Sequence, residues 1–234
     1  MAKDYYRQAV GLLVTNKGKK SGIPDGYGGN KDLSLHIRLP VLSLLARKFT
    51  MENKEISDVD FEVLLAKLYS GKYNDEKGFA SKLLSLNHQY RRKINPRKLD
   101  RWLNTLYGWS QVDSLCQSTF SAKEVLTNWP EWEKVIRKFS TDKNINKRRA
   151  SLVLLIRSLR ESRDSKLRKI AFENIDKLKS EKDILITKAI SWILREMIKL
   201  HKDKIANYLN KNSKSLPRIA LRETSRKLET GRKS

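Results

Sequence analysis

One cysteine in 234 residues leaves this chain without a disulfide framework. Cys116 cannot close an internal bridge, which agrees with a reducing compartment. A single cysteine also excludes the thiolate-rich zinc sites. The three histidines, His36, His88 and His201, stand far apart in no metal-ligand spacing. No metal or redox cofactor is therefore expected. No apolar run approaches the roughly 20 residues that span a bilayer. The opening Met1-Ala2-Lys3-Asp4-Tyr5-Tyr6 lacks the apolar core of a signal peptide. The expectation is a cytoplasmic protein, nucleoid-associated if the source is prokaryotic, with no membrane partner. Gly26-Tyr27-Gly28-Gly29 is glycine-rich, but no strand signal precedes it, so it reads as a flexible loop and not as a phosphate cradle.

Acid is also scarce. Twenty-six Asp and Glu face fifty Lys and Arg, a formal net charge of +24. Such a surface attracts polyanions, of which nucleic acid is the commonest. Neutralised phosphates release condensed counterions, so the affinity should fall with salt and be largely indifferent to sequence. Two blander readings compete: a basic protein that is merely soluble, or one drawn to acidic lipid. The charge favours nucleic acid over both. Apolar residues make up 39% of the chain and recur along almost its whole length, which excludes disorder as the main content.

Strand signals are nearly absent, and helical periodicity runs throughout. Tyr6 to Val14 opens the chain as a helix, and 17–30 is a loop rich in Gly and Lys. Pro40 suits the first turn of a helix from Val41 to Phe49. Ser57 or Asp58 caps a helix holding Phe61, Leu64, Leu65 and Leu68, and Asn74 or Asp75 caps a long one running toward Tyr90. Pro96 opens the next, and Gly108 closes it before a new helix near Trp109. Further helices are predicted over 132–139, 147–159, 166–178, 184–200, 205–209 and 217–228. Cys116 lies in the apolar pattern Val112, Leu115, Cys116, which makes it a buried small hydrophobe and not a nucleophile.

Short connections force neighbouring helices to lie antiparallel. The predicted fold class is all-α: an α-solenoid of HEAT-like helical hairpins, curved with a basic concave face. An irregular bundle is the alternative, disfavoured because the helices are too many for one compact bundle. A single domain over 1–229 is expected, with 230–234 a frayed basic tail. Nothing points to oligomerisation, so a monomer is expected.

Three segments carry candidate chemistry. Trp109 and Asp113 are four residues apart and share one helix face, while Val112 and Cys116 turn toward the core. An acid beside an indole on an exposed face is unusual. The plainer reading is a partly buried Trp with an acid complementing a helix start. Lys188, Trp192 and Arg195 fall at i, i+4 and i+7, so two cations bracket an indole. That pattern suits phosphates beside an aromatic surface, or a solvated basic face around a core Trp. Lys147-Arg148-Arg149 puts three cations at a helix start, against the helix dipole, and an anionic partner would relieve that cost. The end of the chain adds to this pattern. From His201 to Ser234 there are ten Lys or Arg against three Asp or Glu, and Arg218, Arg222 and Arg226 repeat every four residues. That stripe reads as a phosphate-backbone contact or as a solvated outer face.

These segments together resemble the AlkD-type alkylpurine DNA glycosylases, HEAT-like proteins of the DNA alkylation repair family. The resemblance is best from about Asp58 to Leu228. It rests on Trp109-x-x-x-Asp113, on the Arg149-Ala150 helix start, on Lys188-Ala189-Ile190-Ser191-Trp192-Ile193-Leu194-Arg195-Glu196, and on the junction Ile37-Arg38-Leu39-Pro40. It implies that Asp113 is the catalytic carboxylate, that Trp109 and Trp192 flank the damaged nucleotide's sugar and backbone, and that Arg149 holds a phosphate. Arg38 would lie near the cleft on the opposite strand side. Arg148, Lys188, Arg195, Arg218 and Arg222 complete the expected DNA contacts. The partner would be duplex DNA containing alkylated purines. Two departures stand out: Ser110 occupies a place where the family often has a second Asp, and the loop from Gly18 to Asn30 is longer than the family pattern.

The chemistry suits these residue types in its own right. A purine alkylated at N3 or N7 is cationic and departs neutral, so its leaving needs no proton. The barrier lies in an electron-poor, oxocarbenium-like deoxyribose. A fixed ionised carboxylate stabilises that charge and can orient a water, and indole faces stabilise the same cation. The expected activity is a monofunctional glycosylase acting on N3- or N7-alkylated purines without lyase chemistry. The alternative is a non-catalytic helical-repeat protein that binds distorted or branched DNA.

Overall fold

The computed structural model describes residues 3–20, 24 and 26–232. The chain is all-helical: fourteen helices follow one another among the described residues, with only an isolated bridge between Leu33 and Tyr73. This succession of helices on short connections is the pattern of an α-solenoid. The helices pack into two compact units, 1–115 and 116–234.

The first unit contains α1 (Tyr5–Thr15), α2 (Leu39–Glu52), α3 (Asp58–Tyr69), α4 (Asn74–Leu86), α5 (His88–Lys93), α6 (Lys98–Leu103) and most of α7 (Gly108–Cys116). Ser57 caps α3 by accepting from the Asp60 amide, as the sequence predicts. Helix α2 starts two residues earlier than expected, with Pro40 in its first turn. The long helix predicted to reach Tyr90 is broken. Asn87 accepts from the Tyr90 amide and so starts α5, while Arg91 turns inward to donate to the Leu84 and Ser85 carbonyls. The core is built from one face each of α1 to α4. Phe49 of α2 meets Phe79 of α4 edge-on at 5.8 Å, and α3 packs on α4, with Leu64, Leu65 and Leu68 of the first and Leu83 and Leu84 of the second all buried.

A buried carboxylate fixes the approach to α2. Asp75, in the first turn of α4, accepts from the amides of Leu35 (2.7 Å) and Ile37 (3.0 Å). His36 between them has φ +56°, an uncommon left-handed backbone for a residue with a side chain. Its carbonyl lies where a Cβ on Gly18 would stand, so position 18 requires glycine.

The second unit comprises α8 (Ala122–Thr127), α9 (Trp129–Phe139), α10 (Ile145–Val153), α11 (Leu155–Glu161), α12 (Ser165–Leu178), α13 (Ile184–Asn212) and α14 (Arg218–Thr230). Ser121 and Glu124 form a reciprocal capping box that starts α8, a helix outside the set predicted from periodicity. The helix predicted over 147–159 is divided at Leu154. Conversely, the helices predicted over 184–200 and 205–209 are one element, kinked at His201 (φ −138°, ψ 35°). Phe120 and Trp132 pack at 4.7 Å, and α13 packs against α10, α11, α12 and α14. Helix α14 includes Thr230, and Gly231 closes it in the left-handed conformation. Lys233 and Ser234 lie outside the described residues.

Candidate active site and nucleic-acid interface

Helix α7 carries the first candidate constellation. Its apolar residues Val112, Leu115 and Cys116 are fully buried, and Cys116 is the small core residue the sequence predicts. Trp109 is 38% exposed at the head of the helix. Asp113, one turn on, is not on an exposed face; only 9% of it is accessible. The difference follows from how much of α7 is enclosed, since Gln111 is buried as well. An exposed indole thus sits one turn from a largely dehydrated carboxylate.

What encloses the head of α7 is the glycine-rich loop. It is not a free loop: it docks on the helix. The Gly28 carbonyl accepts from the Ser110 amide and hydroxyl, both at 3.3 Å, and the Tyr27 carbonyl accepts from the Trp109 indole N–H at 3.2 Å. The Tyr27 ring stands edge-on to Trp109 at 5.7 Å and is itself 67% exposed. The approach is close enough to require glycine on both sides. A Cβ on Gly108 (φ +72°) would stand 2.2 Å from the Gly28 carbonyl oxygen, and one on Gly28 would stand 2.0 Å from Ser110 Oγ. The sequence signal for this was the glycine spacing around Tyr27, but glycines mark a close approach without naming what approaches.

A buried polar network backs the docked loop. Gln111 donates through Nε2 to Asp32 Oδ2 (2.5 Å) and Asn74 Oδ1 (3.0 Å), and accepts from the Tyr107 amide through Oε1. Lys77, almost inaccessible, places its ammonium 2.5 Å from the same Asp32 oxygen and donates to the Gly71 carbonyl. The sequence gives no signal that Asp32, Lys77 and Gln111 meet, because they come together from 37 or more positions apart through Asp32 and Asn74. In the same unit Arg38 is exposed at the start of α2. A cavity of about 250 Å³ lies beside it, lined also by Lys19, His36 and Val41.

In the second unit the candidate cations divide sharply. Lys188 is exposed on α13. Arg195, expected on the same face, is buried: its Nε donates to the Ser191 carbonyl and hydroxyl and lies 3.4 Å from Glu223 of α14. Seven residues advance a helix by almost two turns, close enough in angle for a shared face, but α14 covers that end of it. Trp192 is half-buried, and its indole N–H donates to Glu196 at 3.2 Å. Burial alone would raise the Glu196 carboxyl. The hydrogen bond and charge of Arg160, with help from Lys227 and Trp192, hold it below its ordinary value.

Each of the three cations at the start of α10 meets a group of the protein itself. Lys147 lies 3.6 Å from Asp142, and Arg148 pairs with Glu181 while donating to the carbonyls of Asp142 and Lys143. Arg149 is buried and donates to the Leu185 carbonyl. The cost expected from placing these charges against the helix dipole is thus offset internally. On α14, Arg218, Arg222 and Arg226 are all exposed, while Ala220 and Thr224 face inward.

No described helix is long and apolar enough to cross a membrane. Among the described residues no group of three or more His, Cys, Asp and Glu could hold a metal ion.

These features define a basic, all-helical α-solenoid that carries an indole and a carboxylate one turn apart on α7. The comparisons are more specific. The chain belongs to the DNA alkylation repair enzyme family, whose model matches residues 15–228. Among solved structures it is similar in fold to a predicted DNA alkylation repair enzyme from Enterococcus faecalis. That likeness has a TM-score of 0.70 at 15% identity and covers 97% of this chain and 96% of the other. No curated protein matches the sequence.

Proposed function

We propose that this protein is a monofunctional DNA glycosylase that hydrolyses the N-glycosidic bond of N3- or N7-alkylated purines in duplex DNA. The observation that carries the reading is the pair on α7: exposed Trp109 and, one turn on, Asp113 with its carboxylate largely out of water. Family membership and the net charge of +24 support DNA as the substrate.

Alkylation makes the base a good leaving group, so the protein's task is to stabilise the sugar. As the glycosidic bond lengthens, its electron pair stays with the base and neutralises it. Positive charge appears at the anomeric carbon and ring oxygen. Asp113 opposes that charge from a site where partial dehydration strengthens the field it exerts. It also accepts a hydrogen bond from the attacking water and takes up its proton as the oxygen bonds to the anomeric carbon, then releases that proton to solvent, leaving a neutral free base and an abasic sugar. The Trp109 face offers electron density to the same cation. Trp192, its indole N–H held by Glu196, offers a second indole face to DNA. Lys188, Arg38, Arg218 and Arg222, all exposed, contact phosphates. Arg148, Arg149 and Arg195 hold their own helices in place through the contacts given above, and any phosphate they bind is met by groups already fixed.

Duplex DNA treated with a methylating agent is the direct substrate. Incubation with the protein should release free 3-methyladenine or 7-methylguanine and leave abasic sites whose strand stays intact until heated in alkali. Binding without release of any base would instead assign the chain as a non-catalytic DNA-binding protein.

A further inference from the structure

The docked loop has a consequence for the chemistry, one that rests on the glycosylase reading just given. We propose that residues 26–32 form a clasp that sets the position of Trp109 and Asp113, with Asp32 and Gln111 as positioning residues.

Three observations converge on this. First, the clasp covers the start of α7 where backbone amides lack helical partners: the Gly28 carbonyl takes the Ser110 amide. Second, the Tyr27 carbonyl takes the indole N–H of Trp109, and the Tyr27 ring stands against the same indole. Rotation of that side chain therefore breaks a hydrogen bond and an aromatic contact together. Third, the clasp is anchored from inside. Asn30, buried, reaches Asn74 and Ser110 through Nδ2, each at 3.4 Å. Asp32 receives both Lys77 and Gln111 on one oxygen. Gln111 lies two residues from Asp113 on α7, and its three hydrogen bonds fix the rotation of the helix that carries the carboxylate.

The arrangement uses dehydrated polar groups that serve no hydrophobic purpose. A buried amide bridging Asp32, Asn74 and the Tyr107 backbone is costly unless fully bonded, and here both of its ends are engaged. Its effect is on geometry: a reacting carboxylate displaced by about 1 Å can lose about a hundredfold in rate.

Glycine variants test the clasp without touching a group that meets DNA. In Gly28→Ala the new Cβ would stand 2.0 Å from Ser110 Oγ and 2.6 Å from its Cβ, so the clasp cannot seat. Adding Ser110→Gly removes both obstructing atoms and should restore seating. Gly29→Ala, at φ +80° and with its Cβ 3.0 Å from Gly108 Cα, unseats the clasp by backbone strain as well as by contact and is the second variant should the first not fold. The measurements are single-turnover methylpurine release at saturating protein, the Kd for undamaged duplex, and the fluorine resonance of Trp109 in 5-fluorotryptophan-labelled protein, identified by its loss in Trp109→Phe. The clasp requires that Gly28→Ala shift the Trp109 resonance and slow release by about ten- to a hundredfold. The Kd should stay within about twofold, and the double variant should recover both signals. Unchanged release and resonance in a folded Gly28→Ala protein would overturn it, as would slow release that the double variant fails to restore. If the native chain releases no base, the glycosylase reading fails. The clasp is then judged on the resonance alone: a shift in Gly28→Ala reversed by Ser110→Gly upholds it, and an unmoved signal refutes it.

Discussion

Charge at a single position means different things in this chain, and burial decides which. Lys188 and Arg195 lie seven residues apart on α13, yet one faces solvent and the other is enclosed with Glu223. Lys188→Ala should weaken binding to all DNA sequences alike, and the slope of log affinity against log salt should shrink by about one. Arg195→Ala should leave that slope nearly unchanged and instead destabilise the fold by about 1–3 kcal/mol, because Glu223 loses its cationic partner and keeps only the Ser191 hydroxyl. Thermal or denaturant unfolding of the two variants beside salt titrations separates the roles. The same distinction applies to Trp192, whose indole is tied to Glu196, and that carboxylate is in turn held ionised by Arg160.

Among the helices, α13 shows most clearly what a sequence can and cannot specify. Its apolar periodicity predicted two helices on either side of His201, and the structure joins them through a kink at that residue. The kink places an imidazole in the interior, with Nε2 lacking a hydrogen-bond partner among the described residues. Burial pushes the His201 pKa below its ordinary value of 6.5, and the charges of Arg168 and Arg163 push the same way, against a hydrogen bond with the Ser162 backbone. A depressed pKa in the folded state means that protonation favours unfolding. The stability tied to neutral His201 is complete above about pH 6.5 and is lost as the pH falls through the lower folded value. Denaturant midpoints should therefore drop more steeply between pH 7 and pH 5 in the native chain than in His201→Leu. Equal slopes would show that other groups govern the acid limb. The helices themselves were largely legible, because caps such as Ser57 and first-turn prolines act locally. Less legible were features set by distant partners. Arg91 folding back breaks one predicted helix, and the loop at Tyr27 seats on α7 from about 80 positions away. The Trp109–Asp113 spacing was readable, but that Asp113 is enclosed while Trp109 is not depends on packing that no spacing reveals.

For the molecule as a whole, fifty cations need not all meet DNA. Many are paired internally, as Arg137 is with Glu133 and Glu173, and Arg157 with Glu161. The exposed row Arg218, Arg222 and Arg226 on α14 is a better candidate for long-range attraction. Replacing all three by Ala should reduce the salt slope by about three while leaving the single-turnover rate of bound substrate within about twofold. A fall in that rate at saturation would give the row a part in the chemistry beyond attraction. Catalysis itself should depend on far fewer groups. The central claim is that one carboxylate stabilises a sugar losing a cationic base, and its test is release of 7-methylguanine from a defined duplex by the native chain and by Asp113→Asn, both at saturating protein. Asp113→Asn should slow release by at least about a hundredfold with a Kd within about threefold of native. Release by Asp113→Asn at the native rate would contradict the account.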